Sequence, residues 1–218
     1  TKKLCDFYTL GIYFYAFFIR IAALFGNDKA KKWIKGRKNI TTKYKSIFVD
    51  EVPWTFIWVH ASSLGEFEQG RPFIETIKKT YPNQKILLTF YSPSGYEARK
   101  TYEYADIIMY LPLDTTSVMT TILSIVRPKA VFFIKYDFWY NLLNVLKQKG
   151  IPTYFISSVF RKKQIQFWWF SFWFRKHLRF IDTIFVQDKK SEQILKKKNL
   201  YNCEFVGDTR IDRVIEIK

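Results

Sequence analysis

The sequence predicts an α/β fold built on a mostly parallel sheet with helices on both faces. Three observations carry that reading. Of the 218 residues, 48% are hydrophobic and 20% aromatic, enough apolar surface to offset chain entropy and to exclude a disordered chain. From Trp54 onward, short apolar runs bounded by turn residues alternate with stretches of helical periodicity. The first of those runs passes through a loop of small residues into a helix, the layout in which a strand feeds a crossover.

The elements follow in order. Residues 4–25 are strongly apolar and carry charge only at Asp6 and Arg20. The uncharged run Phe7–Ile19 has 13 residues, short of the roughly 20 needed to span a bilayer. No small-residue cleavage site follows it, and it is too aromatic for an ordinary secretory signal. Residues 1–40 hold nine Lys or Arg against Asp6 and Asp28. An apolar helix with such a flank reads as an interfacial anchor, the basic side cytoplasmic; the bland reading is a helix packed on its own domain or on a partner. The chain thus divides into a membrane-associated segment, 1–40, and a sheet domain, 41–218. Strands are expected at Thr55–His60, Lys85–Phe90, Ile107–Tyr110, Ala130–Ile134, Thr153–Ser157, Thr183–Val186 and Cys203–Val206, with helices near 66–80, 94–104, 115–126, 138–149, 164–178 and 189–198. Ligands of such sheets sit at the carboxyl ends of the strands, so the loops after the strands are the places to search.

Charge narrows the partners. With 36 Lys+Arg and 19 Asp+Glu the formal net charge is +17, which calls for an anionic partner or surface. The aromatic residues cluster in two stretches and show no nucleic-acid-binding pattern, so an anionic membrane surface is expected and nucleic acid is not. The second stretch, residues 160–180, places Phe167, Trp168, Trp169, Phe170, Phe172, Trp173 and Phe174 between Arg161, Lys162, Lys163 and Arg175, Lys176, Arg179. Rings all around a helix exceed what one sheet can bury and point to lipid contact; the alternative is a core helix with solvated ends. Cys5 and Cys203 suit reduced thiols in a cytoplasmic setting, and the cysteine count offers no metal cluster. A start at Thr1 and a charged end at Arg213–Lys218 suggest a piece of a longer protein.

The loop after the first strand reads His60-Ala61-Ser62-Ser63-Leu64-Gly65-Glu66. Small residues let backbone amides approach a ligand, and the helix start adds positive potential. Glu66 there suits a general base acting on a hydroxyl. The same spacing, Ser63-x-x-Glu66, is a capping box, and by spacing alone capping is the commoner meaning. A helix N-terminus favours ionised Glu66 and so makes it a weak base. His60, at a strand end, reads as a hydrogen-bonded structural residue, and no G-x-S-x-G surrounds the serines. Ser94, Gly95 and Arg99, after the second strand, suit a phosphate or sugar, or else a plain turn and cap.

Trp58-x-His60-Ala61-Ser62-x-x-Gly65-Glu66 resembles the signature near the start of the 3-deoxy-D-manno-octulosonic acid (Kdo) transferases. Leu88–Gly95, Tyr110-Leu111-Pro112-Leu113-Asp114 and Val206–Asp212 resemble further segments of that family in the right order. The resemblance implies a Rossmann-like fold, the N-terminal, acceptor-binding half of a GT-B glycosyltransferase, with the donor-binding half absent from this chain. It implies an inverting, metal-independent transfer of Kdo from CMP-Kdo to a lipid A precursor in lipopolysaccharide synthesis at the cytoplasmic face of the inner membrane, with no cofactor. Carried over residue by residue, Glu66 is the catalytic base, and Ser62, Ser63, Gly65, Ser94, Gly95, Arg99 and Arg161 contact the acceptor. The chain departs from the family at Lys135-Tyr136-Asp137-Phe138-Trp139-Tyr140-Asn141, where Lys135 replaces an acid and Tyr140 a proline while Asp137, Trp139 and Asn141 stay close. The competing class is a non-catalytic lipid- or nucleic-acid-binding α/β module.

Overall fold

The computed structural model describes residues 2–135, 137–161 and 171–207. Three helices lead the chain: α1 (Lys2–Leu24), α2 (Asp28–Arg37) and α3 (Ile40–Ile47). Strands and helices then alternate as β1 (Phe56–Ala61), α4 (Leu64–Thr80), β2 (Lys85–Phe90), α5 (Pro93–Arg99), β3 (Ile107–Tyr110), α6 (Thr116–Val126), β4 (Ala130–Ile134), α7 (Tyr140–Gln148), β5 (Thr153–Ser158), α8 (Ser171–Leu178), β6 (Thr183–Val186), α9 (Lys189–Lys196) and β7 (Cys203–Phe205). The seven strands form one sheet, order β3-β2-β1-β4-β5-β6-β7, every pairing parallel. The chain order reverses between β1 and β4. In sheets of this class ligands bind at the carboxyl edge beside that switch point.

Both faces of the sheet are covered, which is why its strands read as continuous apolar runs. Trp58, Leu87, Val131 and Phe155 pack with Tyr44 of α3, Met119 of α6, Leu142 of α7 and Ile194 of α9 on one face. Val59, Ile86, Leu88 and Ile134 meet Phe67 and Ile74 of α4 on the other. Each such fully buried side chain contributes about 1.5–3 kcal/mol. A β-carbon on Gly70 would overlap Ile134, so α4 can lie this close to β4 only with glycine there.

The strands fall where the apolar runs place them, within a residue at each end. The helices differ in instructive ways. The segment expected merely as a basic flank forms α2, and α3 follows at the start of the sheet domain where no helix was expected: Asn27 caps α2 by accepting from the Ala30 amide at 2.9 Å, and Trp33, Tyr44 and Phe48 are buried. The apolar minority among the lysines drives these helices. Helix α5 ends at Arg99 and not at 104, because Tyr102 turns inward onto Phe67 and donates its hydroxyl to Glu75 at 3.2 Å. Helix α7 starts at Tyr140, its first amides capped from a distance: Asp114 Oδ2 accepts from Asn141 N at 3.1 Å and Oδ1 from Leu142 N at 2.8 Å.

The same carboxylate fastens α1. Tyr8 donates its hydroxyl to Asp114 Oδ2 at 2.8 Å, and Asn141 Nδ2 donates to Thr9 Oγ1 at 3.0 Å. Tyr15 stands against Trp33 and Tyr91. Helix α1 is therefore docked along one face, while Phe7, Phe14 and Phe18, spaced by seven or four residues on the opposite face, are exposed by 54–78%. In the second aromatic stretch, Phe174, Leu178 and His177 are buried, Phe174 edge-on to Phe138; that part is core. Residues 162–170, including Phe167–Phe170, lie outside the described residues, as do Tyr136 and 208–218 with most of the Val206–Asp212 segment.

Candidate active site

Two carboxylates meet at the β1/β4 switch point. Glu66 stands in the first turn of α4. Its Oε2 accepts from the Ser63 amide at 3.2 Å, and the Ser63 hydroxyl accepts from the Glu66 amide at 3.4 Å, which completes the capping box. A third bond goes beyond capping: the Ser62 amide donates to Oε2 at 2.7 Å. Both amides converge on one oxygen, and Oε1 accepts no hydrogen bond among the described residues. The carboxylate is anchored by one atom and presents the other.

Asp137 comes from the loop after β4. Its Oδ2 accepts from the Ser62 hydroxyl, from His60 Nε2 at 3.1 Å and from Trp139 Nε1 at 2.9 Å. His60 is fully buried at the end of β1, and its Nδ1 lies 2.8 Å from Thr89 Oγ1, which also accepts from Trp58 Nε1 at 2.7 Å. An ionised carboxylate only accepts, so Nε2 carries the proton. Two residues before Asp137, Lys135 holds φ = 67°, a left-handed conformation uncommon outside glycine, with its carbonyl accepting from the Ser158 hydroxyl at 2.6 Å. Beyond it, Asp137 meets the end of β1 through Ser62 and His60, with Trp139 donating to the same oxygen.

The two acids sit in opposite fields. Burial pushes the Glu66 carboxyl above its usual range, and the Asp137 charge adds to the push, against His60, the Ser62 amide and Lys135. Burial would raise Asp137 too, but its bonds from His60, Ser62 and Trp139 outweigh it and hold the group below the usual range. The helix N-terminus alone would make Glu66 a weak base; partial burial beside a second negative charge makes it a stronger one.

The structure gathers only part of the sequence-read site. Ser62, Ser63 and Glu66 lie together, and Gly65 faces open space with nothing within 4 Å of the position a β-carbon would take. The β2 loop joins them through the Ser92 amide, which donates to Ser62 O at 2.8 Å. Ser94 is exposed, its hydroxyl 2.6 Å from Ser92 Oγ. Gly95 is buried against Phe90 and the Leu64 amide, a packing position. Arg99 pairs with Glu68 at 2.6 Å on the flank of α4. Arg161 is exposed three residues past β5. Residue spacing does not pick out His60, Thr89 and Asp137 as a group; the signal available was Asp137, the one acid in the loop after the middle strand.

An α/β half-domain with a carboxylate pair at its switch point belongs to the Rossmann-like, GT-B class of architecture. The UDP-GlcNAc 2-epimerase of Neisseria meningitidis, solved with UDP-GlcNAc bound, shares the fold with a TM-score of 0.56 and 16% identity, over 73% of this chain and 48% of that one. Residues 29–213 match the family model described as 3-deoxy-D-manno-octulosonic-acid transferase (kdotransferase), and the chain belongs to that family. It is 31% identical over 97 residues to the 3-deoxy-D-manno-octulosonic acid transferase of Haemophilus influenzae, covering 44% of this chain and 23% of that protein. It is 33% identical over 103 residues to that of Aquifex aeolicus, covering 47% and 28%. The chain thus aligns with about a quarter of the length of these curated relatives.

Proposed function

We propose that this chain is the acceptor-binding half of an enzyme that moves Kdo from CMP-Kdo to a lipid A precursor, with Glu66 as general base. Oε1 of Glu66 takes the proton of the acceptor hydroxyl. The oxygen attacks the anomeric carbon of Kdo from the side opposite CMP, the bond from that carbon to the phosphate oxygen breaks, and CMP leaves with the electron pair. Configuration inverts, and no metal or cofactor takes part in the step. Asp137 is a positioning residue. It fixes the Ser62 hydroxyl and the His60 ring, and its charge keeps Glu66 basic. The observation that carries the reading is a carboxylate anchored through one oxygen, open at the other and raised in pKa, at the point where sheets of this class bind ligands.

The reaction belongs at the cytoplasmic face of the inner membrane. Helix α1 docks its Tyr8 and Thr9 face on the domain and turns its phenylalanines outward, as an interfacial helix does. The stretch Asp6–Leu24 is long and apolar enough to cross a membrane by length and composition, but the bond Tyr8 donates to Asp114 and the one Thr9 accepts from Asn141 hold its start against the domain. Transfer of radiolabelled Kdo from CMP-Kdo to a lipid A precursor by the full-length protein tests the assignment. Glu66→Gln lowers turnover by about 10²-fold or more if Glu66 is the base. Near-normal turnover at saturating donor and acceptor removes it from that role.

A further inference from the structure

A second cleft lies away from the carboxylates, on the outer flank of edge strand β3. It has a volume of about 530 Å³, enclosed by α2, α3 and α5. Lys32 and Lys35 of α2, Lys43 of α3 and Lys100 at the end of α5 stand around it, over a floor of Ile40, Met109 and Tyr110. The acid on the wall, Glu97, pairs with Lys100 at 2.9 Å. Lys32, Lys35 and Lys43 form no ion pair among the described residues. The cleft therefore holds an excess of three positive charges in one concave place.

Tyr110, part of that floor, carries a second mark of the site. The residue is 95% buried by the 5% exposure of its surface, and its hydroxyl has no hydrogen-bond partner among the described residues. Its ring is locked by Tyr96, stacked at 4.2 Å, and by the backbone of Gly36, where any β-carbon would strike it. A buried hydroxyl with no partner is costly, and a ligand oxygen in the cleft would satisfy it. Lysine ammonium groups over an apolar floor suit a phosphate carried on an organic body better than a small hydrated anion.

We propose that this cleft binds the phosphate headgroup of an anionic phospholipid. The lysines neutralise the phosphate, Tyr110 donates to one of its oxygens, and the glycerol end rests on Ile40 and Met109. One wall is α2, the partner of α1 in the leading hairpin, so a headgroup held here sits beside the helix that displays Phe7, Phe14 and Phe18. The inference rests on the reading of α1 as membrane-facing and not on the transfer reaction.

Binding of the 218-residue chain to phosphatidylcholine vesicles with and without about 30% phosphatidylglycerol tests it, together with acetylation footprinting of lysines by mass spectrometry. Lys35→Glu/Lys43→Glu weakens binding to the anionic vesicles by about tenfold or more, while Lys190→Glu/Lys197→Glu, the same charge change on α9 and the residue capping it at the far edge of the sheet, costs less than about threefold. Lys32, Lys35, Lys43 and Lys100 become protected on anionic vesicles and stay reactive on neutral ones. Phe14→Asp/Phe18→Asp separates the two readings, because it weakens binding to both vesicle types through α1, whereas the cleft double acts on anionic vesicles alone. Equal losses from the cleft and α9 doubles overturn the proposal in favour of diffuse charge attraction. Full protection by soluble glycerol 1-phosphate without vesicles overturns it in favour of a free phosphate ester.

Discussion

The loops after β1 and β4 each bring one carboxylate to the switch point, and they treat it in opposite ways. The β1 loop holds Glu66 by two backbone amides on a single oxygen, half-buried and beside another negative charge, so that its proton affinity rises. The β4 loop brings Asp137 against His60 and Ser62 at the end of β1 and against its own Trp139, three side-chain donors that keep it ionised. Pairs of acids whose surroundings drive their pKa values apart divide the chemical labour: the raised one exchanges protons, the lowered one supplies a fixed charge. Ser62 links them, giving its amide to Glu66 and its hydroxyl to Asp137.

That contrast can be broken from either side. Glu66→Gln has the largest expected effect, the 10²-fold loss of turnover given above, and stability should move the other way. The folded pKa of Glu66 lies above that of the unfolded chain, so its ionised form is a liability at neutral pH that vanishes as pH falls below the unfolded value. Gln removes the charge and still accepts from the Ser62 and Ser63 amides. Its thermal midpoint at pH 7.5 should equal or exceed wild type, as followed by circular dichroism. Asp137→Asn keeps Glu66 but removes its negative neighbour: turnover should fall by about tenfold, and the acidic limb of the pH–rate profile should shift to lower pH as Glu66 becomes a weaker base. The same variant should lose about 1–3 kcal/mol, since one amide oxygen replaces a charged acceptor of three bonds.

Asp114 extends the comparison to a buried acid outside that pair. Burial lifts its pKa to about 7 in spite of bonds from Tyr8, Leu142 and Asn141. A group raised on folding stabilises at low pH, and its contribution is lost as pH rises through the folded value. The melting temperature should decline between about pH 4 and 7 and level off above that, and Asp114→Asn should flatten that slope while lowering the midpoint near pH 4. The smallest effect belongs to Ser63→Ala. The cap bond it removes is 3.4 Å long, and about 0.5–1 kcal/mol by chemical denaturation is the expected loss.

The sheet was legible because a parallel strand buried on both faces must be apolar throughout: Lys85–Phe90, Ile107–Tyr110, Ala130–Ile134 and Thr183–Val186 appear with the bounds their composition implies. Glu66 was legible for a local reason, the Ser63-x-x-Glu66 spacing, which encodes the cap but says nothing of the Ser62 amide or of Asp137. Those partners are 75 residues apart in sequence and meet only because β4 inserts beside β1. Helices α2 and α3 were hidden by their lysines, since the residues that fold them, Trp33 and Tyr44, are few and far apart. The docking of α1 was likewise invisible, because it turns on Tyr8 and Thr9 bonding to Asp114 and Asn141 more than a hundred residues downstream.

The division of roles between the two acids is read most directly by carboxyl-detected NMR titration of the chain with ¹³C-labelled Glu and Asp, assigned with Glu66→Gln and Asp137→Asn. The account predicts that Glu66 titrates above the ordinary glutamate range and Asp137 below the ordinary aspartate range, and that Asp137→Asn brings the Glu66 midpoint down. A Glu66 midpoint at or below the ordinary value, or one unmoved by Asp137→Asn, contradicts it.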